Sequence, residues 1–181
     1  MVTRRQAREW AVMMLCECDL NPPDSIEVAL SDFWEMQQDV ERKSIKEGEY
    51  GIKEAFSVAL PQDDPKNAKV LEKHMASLDS MKEFAEIRIK GVLARINEID
   101  ASLEPCLDNW LMYRLGTVER NVLRLGAWEL AYARDIPVPI AINEAVDLAK
   151  FFSDSQSGKF VNGVLDRYSK IVRAKQESSG N

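Results

Sequence analysis

Long hydrophobic runs are missing from this sequence of 181 residues. No apolar stretch approaches the roughly 20 residues that a membrane-spanning helix needs, so no membrane partner is expected. Glycine and proline are scarce, at eight and seven, which disfavours a turn-rich β-sandwich and favours helices. The three cysteines (Cys16, Cys18 and Cys106) are odd in number and sparse, as expected of reduced thiols in a cytoplasmic chain. A secretory signal is not expected either. Arg4 and Arg5 do precede the apolar run Trp10–Cys16, but Arg8 and Glu9 sit directly before it, Glu17 and Asp19 follow, and no small-x-small cleavage site appears.

The chemistry of catalysis is also thin. The single histidine, His74, lies in a helical pattern beside Lys73, and no nucleophile–base triad can be assembled around it. Cys16, Cys18, His74 and Cys106 could nominally hold zinc, yet two helical positions two apart point about 200° from each other. The glycines form neither a dinucleotide fingerprint nor a phosphate-cradling loop. The reading is therefore a non-enzyme with no cofactor and no metal.

What is present is an uneven charge on a globular composition, 45% hydrophobic and 30% charged. The 24 basic and 30 acidic residues give a net charge of −6. Residues 1–16 are positive by +2 and residues 140–181 by +1, whereas residues 17–80 carry 7 basic and 15 acidic side chains. A polyanion would have to be met locally, by the two ends of the chain.

Apolar spacing predicts helices throughout and no strand, so the expected fold class is all-α. Ala7, Ala11, Met14, Leu15 and Cys18 share one face of a helix over residues 4–20, with Thr3 and Gln6 resembling a capping box. Asn21-Pro22-Pro23 ends it, and Asp24 is expected to cap the next, with Ile26, Ala29, Leu30 and Phe33 on its buried stripe. Over residues 41–69 the pattern Tyr50–Leu60 suggests a short amphipathic helix, ended by an exposed turn at Pro61–Pro65, but a solvated insertion on a surface loop is the favoured reading. Residues 66–99 read as one bent helix or two, and Asp100 as the following cap. Trp110, Leu111, Leu115, Val118, Val122, Leu125 and Trp128 continue a helical core, broken near Gly116-Thr117. After Pro137-Val138-Pro139, a helix, a polar loop at Ser153–Gly158 and a last helix follow, with residues 174–181 as a flexible tail. Periodicity alone reveals no domain boundary.

Two segments stand out as anion binders. Arg4, Arg5 and Arg8 fall in the first turns of a helix, where each arginine opposes the macrodipole by about 0.3–1 kcal/mol. Stability alone would favour Asp or Glu there, so guanidinium groups beside exposed backbone N–H groups suggest phosphate binding. The second segment is Gln156, Ser157, Gly158, Lys159 and Phe160, where Ser157 or Gly158 would cap the last helix. Charge for phosphate, a ring for stacking and small polar groups for base edges suit single-stranded RNA. For Phe160 alone, its spacing to Val164 favours a core position.

The run Val118-Glu119-Arg120-Asn121-Val122-Leu123-Arg124-Leu125, followed by Glu129-Leu130, resembles the central helix of the NusB family. Asp135-Ile136-Pro137, Ala141-Ile142-Asn143-Glu144-Ala145-Val146 and Lys159-Phe160-Val161-Asn162-Gly163-Val164-Leu165-Asp166 are similar to its signature stretches. The opening Arg4-Arg5-Gln6-Ala7-Arg8-Glu9 resembles its arginine-rich first helix. The likeness covers residues 3–20 and about 81–172.

The resemblance implies a NusB-like RNA-binding domain over residues 1–173, built from two helical subdomains, with a family-atypical insertion at about 41–69. It implies a non-enzymatic transcription antitermination factor that binds boxA-type single-stranded RNA of nascent ribosomal RNA transcripts with ribosomal protein NusE. The complex then reaches the RNA polymerase elongation complex through other Nus factors. It further implies RNA contact by Arg4, Arg5 and Arg8 and by Gln156 through Phe160. Asn143, Glu144 and Asn162 read as capping or inter-helix hydrogen-bonding residues. The chain departs from the family at Gly158, where members commonly have His, and at Cys16, where they commonly have Tyr. The alternatives are a protein-interaction or homodimerisation module without RNA binding, and the N-terminal domain of an RNA methyltransferase. Replacing Arg5 and Arg8 together by Glu is expected to abolish RNA binding and leave unfolding nearly unchanged.

Overall fold

The computed structural model describes residues 3–47, 65–108 and 110–179. Its elements are α1 (Arg4–Leu20), α2 (Ile26–Glu47), α3 (Pro65–Leu93), α4 (Ile96–Leu103), α5 (Thr117–Tyr132), α6 (Val138–Phe152) and α7 (Ser155–Ser179). Short 3₁₀ turns lie at Glu104–Cys106 and Met112–Arg114, and the described residues contain no strand. The fold is all-α. No helix among them is long and apolar enough to cross a membrane. Of the surface-loop insertion expected at about 41–69, residues 41–47 belong to α2 and 65–69 to α3, while the suggested short helix at Tyr50–Leu60 and the turn up to Asp64 lie outside the described residues.

The contacts gather into two compact units, one within residues 23–82 and the other formed by residues 3–22 and 83–179. In the first, Leu30, Phe33 and Trp34 are buried, and the rings of Phe33 and Trp34 meet edge-on at 5.0 Å. Ser25, rather than Asp24, caps α2: its hydroxyl accepts from the Val28 N–H at 3.4 Å.

The second unit is built around α5. Its residues Asn121–Glu129 are all buried, as expected of a helix enclosed on every side, and it packs against α1, α4, α6 and α7. Thr3 caps α1 as its sequence predicts, accepting from the Gln6 N–H at 3.2 Å. Pro139 sits in the first turn of α6, where its missing N–H costs nothing. α7 runs to Ser179, so most of the segment expected as a tail is helical.

Two expectations fail here. Trp110 and Leu111 precede α5 in an irregular stretch and are 55% and 42% exposed, so they are not in its core. Asp100 lies inside α4, where its carboxylate serves tertiary structure. Arg124 Nε and Nη2 donate to it at 2.8 and 2.7 Å. Arg124 Nη1 also donates to Asp19 on α1, which accepts further from Arg120 at 2.9 and 2.7 Å and from Asn121 at 3.0 Å. This polar cluster joins α1, α4 and α5.

Gly91 on α3 faces the indole of Trp128, and a methyl group there would fall within the ring. Gly91→Ala would gain about 1 kcal/mol of helix propensity and lose roughly 1–3 kcal/mol to overpacking. The indole is only 8% exposed and has to move as a body. A net loss of up to about 2 kcal/mol is expected in denaturant unfolding; a raised midpoint would show that the ring yields freely.

Candidate nucleic-acid interface

The three arginines of α1 have different fates. Arg4 is exposed, with its guanidinium 5.5 Å from the Phe84 ring centroid and no carboxylate partner among the described residues. Arg5 is half-buried; its Nε donates to Glu9 at 3.0 Å, and Nη1 lies 3.6 Å from Asp147 and 3.9 Å from Glu144. Arg8 is only 3% exposed. Its Nε donates to both Glu129 oxygens, at 3.0 and 3.1 Å, and its Nη1 lies 3.5 Å from Glu144. Arg88 donates to the same Glu129 at 2.5 Å and lies over the Phe84 ring at 3.2 Å.

The expectation of three open guanidinium groups is therefore corrected. Arg8 is an interior residue, and Arg5 shares its charge with carboxylates. The signal overlooked was Glu129, an acid within the otherwise apolar end of α5. A carboxylate at 2% exposure requires cationic partners.

The second segment is also arranged differently. Ser153 and Asp154 form the connection, and Gln156, Ser157 and Gly158 already belong to the first turn of α7. The cap is Asp154, not Ser157 or Gly158: its Oδ1 accepts from the N–H groups of Gln156 and Ser157 at 2.9 and 2.8 Å. These bonds, the Ser157 amide first, hold the Asp154 carboxyl below its usual range. The Gln156 and Ser157 amides at the start of α7 are therefore occupied by the chain's own carboxylate.

The Ser157 and Ser153 hydroxyls donate to Glu119 on α5, at 2.6 and 2.8 Å. Burial pushes the Glu119 carboxyl up, but these two serine hydrogen bonds outweigh it and its affinity for a proton falls. Gly158 is buried, and a Cβ there would lie 2.7 Å from Lys150 Cγ and 3.3 Å from the Val146 carbonyl oxygen. The glycine thus lets the start of α7 close onto α6. Gln156 and Lys159 are exposed and Phe160 is half-buried. Lys159 has no ion-pair partner among the described residues. Asn143 and Asn162 are exposed, not buried hydrogen-bonding groups, and Glu144 is half-buried between Arg5 and Arg8.

The two segments nonetheless meet on one helix. Arg5 reaches Asp147, which lies 3.7 Å from Lys150, whose stem packs against Gly158. The outer side of α6 therefore links the start of α1 to the start of α7. Arg4 at the start of α1, Lys150 on α6, and Gln156 and Lys159 at the start of α7 are exposed, and Arg5 is partly so.

The comparisons with known proteins agree with this architecture. A model of the NusB family matches residues 53–170. A transcription antitermination protein NusB of Listeria monocytogenes is 45% identical over 87 residues, covering 48% of this chain and 68% of that protein. The structure of Thermotoga maritima NusB superposes with a TM-score of 0.63 at 28% identity, covering 93% of this chain and 92% of that one. A structure of antitermination factors NusB and NusE in complex with double-stranded RNA gives a TM-score of 0.59 at 26% identity, covering 93% and 96%. With the matched region spanning most of the chain and the helical framework shared, the chain belongs to the NusB family.

Proposed function

We propose that the protein is a transcription antitermination factor. It binds boxA-type RNA of nascent ribosomal RNA transcripts together with ribosomal protein NusE, and acts on elongating RNA polymerase through other Nus factors. The observation that carries this reading is the meeting of the two cationic segments on α6, through Arg5, Asp147, Lys150 and Gly158. The NusB relatives are transcription antitermination proteins, and a similar NusB structure holds NusE and double-stranded RNA. Arg4 and Lys159 supply open charge and Arg5 a shared one, while Gln156 offers an exposed amide to base edges. Arg8 acts from beneath, by holding α1 to α5.

The test is a titration of a boxA-type single strand across salt, with and without NusE. Three phosphate contacts give a slope of log K against log[salt] of about −2, at ~0.7 per phosphate on a single strand. Arg4→Glu with Lys159→Glu is expected to flatten that slope by more than half without lowering thermal stability, since Glu near the start of a helix suits the macrodipole. Arg5→Glu with Arg8→Glu is no longer a clean test, because it puts a second carboxylate against buried Glu129. The carboxylates around Arg5 and Arg8 favour one rival, an interaction module without RNA binding. A parent that binds NusE and no RNA would establish that rival, whereas RNA binding that ignores salt would remove the phosphate contacts.

A further inference from the structure

Phe151 is an aromatic ring that the fold leaves outside. It is 65% exposed at the C-terminal end of α6, on a helix whose other large apolar residues mostly face inward. Its helical position is one turn beyond Asp147 on the same face, and Asp147 is the residue that reaches Arg5. Its neighbour Lys150 packs against Gly158, at the start of α7. The Phe152 ring stands edge-on to it, with centroids 4.9 Å apart and planes at 81°, which restricts its orientation while leaving a face open.

The surrounding carboxylates are largely engaged. Asp154 caps two α7 amides, Glu119 accepts two serine hydroxyls, and Asp147 lies between Arg5 and Lys150. Lys150, next to Phe151 in the chain and 3.7 Å from Asp147, and Lys159, next to the Gly158 that the Lys150 stem covers, are exposed cations on either side of the short connection after the ring. Single strands are held by such a combination: charge for the backbone and a π-face for the base.

Resting on the RNA-binding reading above, we infer that Phe151 is a base-stacking platform of the single-strand site, beside the phosphate-binding cations. The site then takes a nucleotide with its base flat on Phe151 and its phosphate toward Lys150 or Lys159. Phe151 supplies affinity without charge, so it adds nothing to the salt dependence.

The experiment uses the full chain and a boxA-type single-stranded RNA. Phe151→Ala is expected to weaken binding by about 5- to 150-fold, the span that one stacked base is worth by alanine substitution, with the slope of log K against log[salt] unchanged. Phe151→Leu keeps the apolar bulk, loses the π-face and is expected to fall with Ala. Phe151→Trp is expected to retain binding, with its added fluorescence quenched by RNA. Thermal unfolding of all three should match the parent, because the ring is mostly in solvent. Binding by Ala or Leu that equals the parent's overturns the inference, as does a Phe151→Ala protein that loses NusE in the absence of RNA. If the parent binds RNA and loses it on Arg4→Glu with Lys159→Glu, while Phe151→Ala has no effect, the stacking site alone falls. If the parent binds no RNA, the proposed function falls with it.

Discussion

Glu129→Ala is expected to lower the melting temperature by roughly 6–20 °C, the equivalent of about 3–5 kcal/mol for breaking a buried pair in a chain of this size. Glu129 is 2% exposed and is shared by Arg8 and Arg88, at 3% and 4%. Without it, two buried guanidinium groups face each other with no hydrogen-bonded carboxylate between them. Burial already pushes Arg88 below the ordinary arginine value, and Glu129 is the main group opposing that fall. Glu129→Gln should fall nearly as far, because the amide keeps the shape and loses the charge. Replacing Arg8, Arg88 and Glu129 together by Met should recover most of the loss, since apolar groups carry no desolvation cost. A Glu129→Ala protein that melts within about 2 °C of its parent would refute the buried node.

The second large effect is at Asp19, which accepts from Arg120, Arg124 and Asn121. Asp19→Ala removes every one of these bonds and leaves Arg124, 7% exposed at its side chain, with Asp100 alone among the carboxylates. A loss of about 3–5 kcal/mol is expected, read as a shifted midpoint at unchanged slope in denaturant. Acid should act on the same group. Burial pushes the Asp19 carboxyl up, but hydrogen bonds from Arg124 and Arg120 and the Arg124 charge draw it below its usual value. A carboxyl depressed in the folded state contributes stability that is complete above its unfolded value, near 3.9, and is lost as pH falls through the folded value. Unfolding measured from about pH 5 downward should therefore weaken more steeply for the parent than for Asp19→Asn. Parallel acid limbs would remove Asp19 from the account.

The all-α class and most helix boundaries were legible in the sequence because they rest on local physics. Apolar residues three and four apart mark a face, Pro22-Pro23 stops α1, and Thr3 caps it by bonding three residues on. What eluded local reading depends on partners distant in the chain. Arg8 looks free until Glu129 arrives from 121 positions away. Asp100 has a capping side chain and Ser157 a capping hydroxyl, but Arg124 claims the first and Glu119 the second. Trp110 has the helical spacing of a core residue yet lies in a stretch that never becomes helix. In the candidate interface the residue types were readable, and their exposure was not. Arg4, Gln156 and Lys159 are open, whereas Arg8 and Gly158 are interior. Phe151 was missed because one aromatic beside another at a helix end carries no periodic sign of which ring turns outward.

The sealing of α7 by Asp154 has a consequence for selectivity. Amides that cradle a phosphate do so with fixed directions, and such a cradle tells tetrahedral oxyanions from other negative groups. Here the Gln156 and Ser157 donors are spent internally, so in the proposed function the neighbouring ammonium groups would attract a polyanion with little regard to shape. Discrimination must then come from groups that read planar rings and their edges, or from a second protein bound alongside.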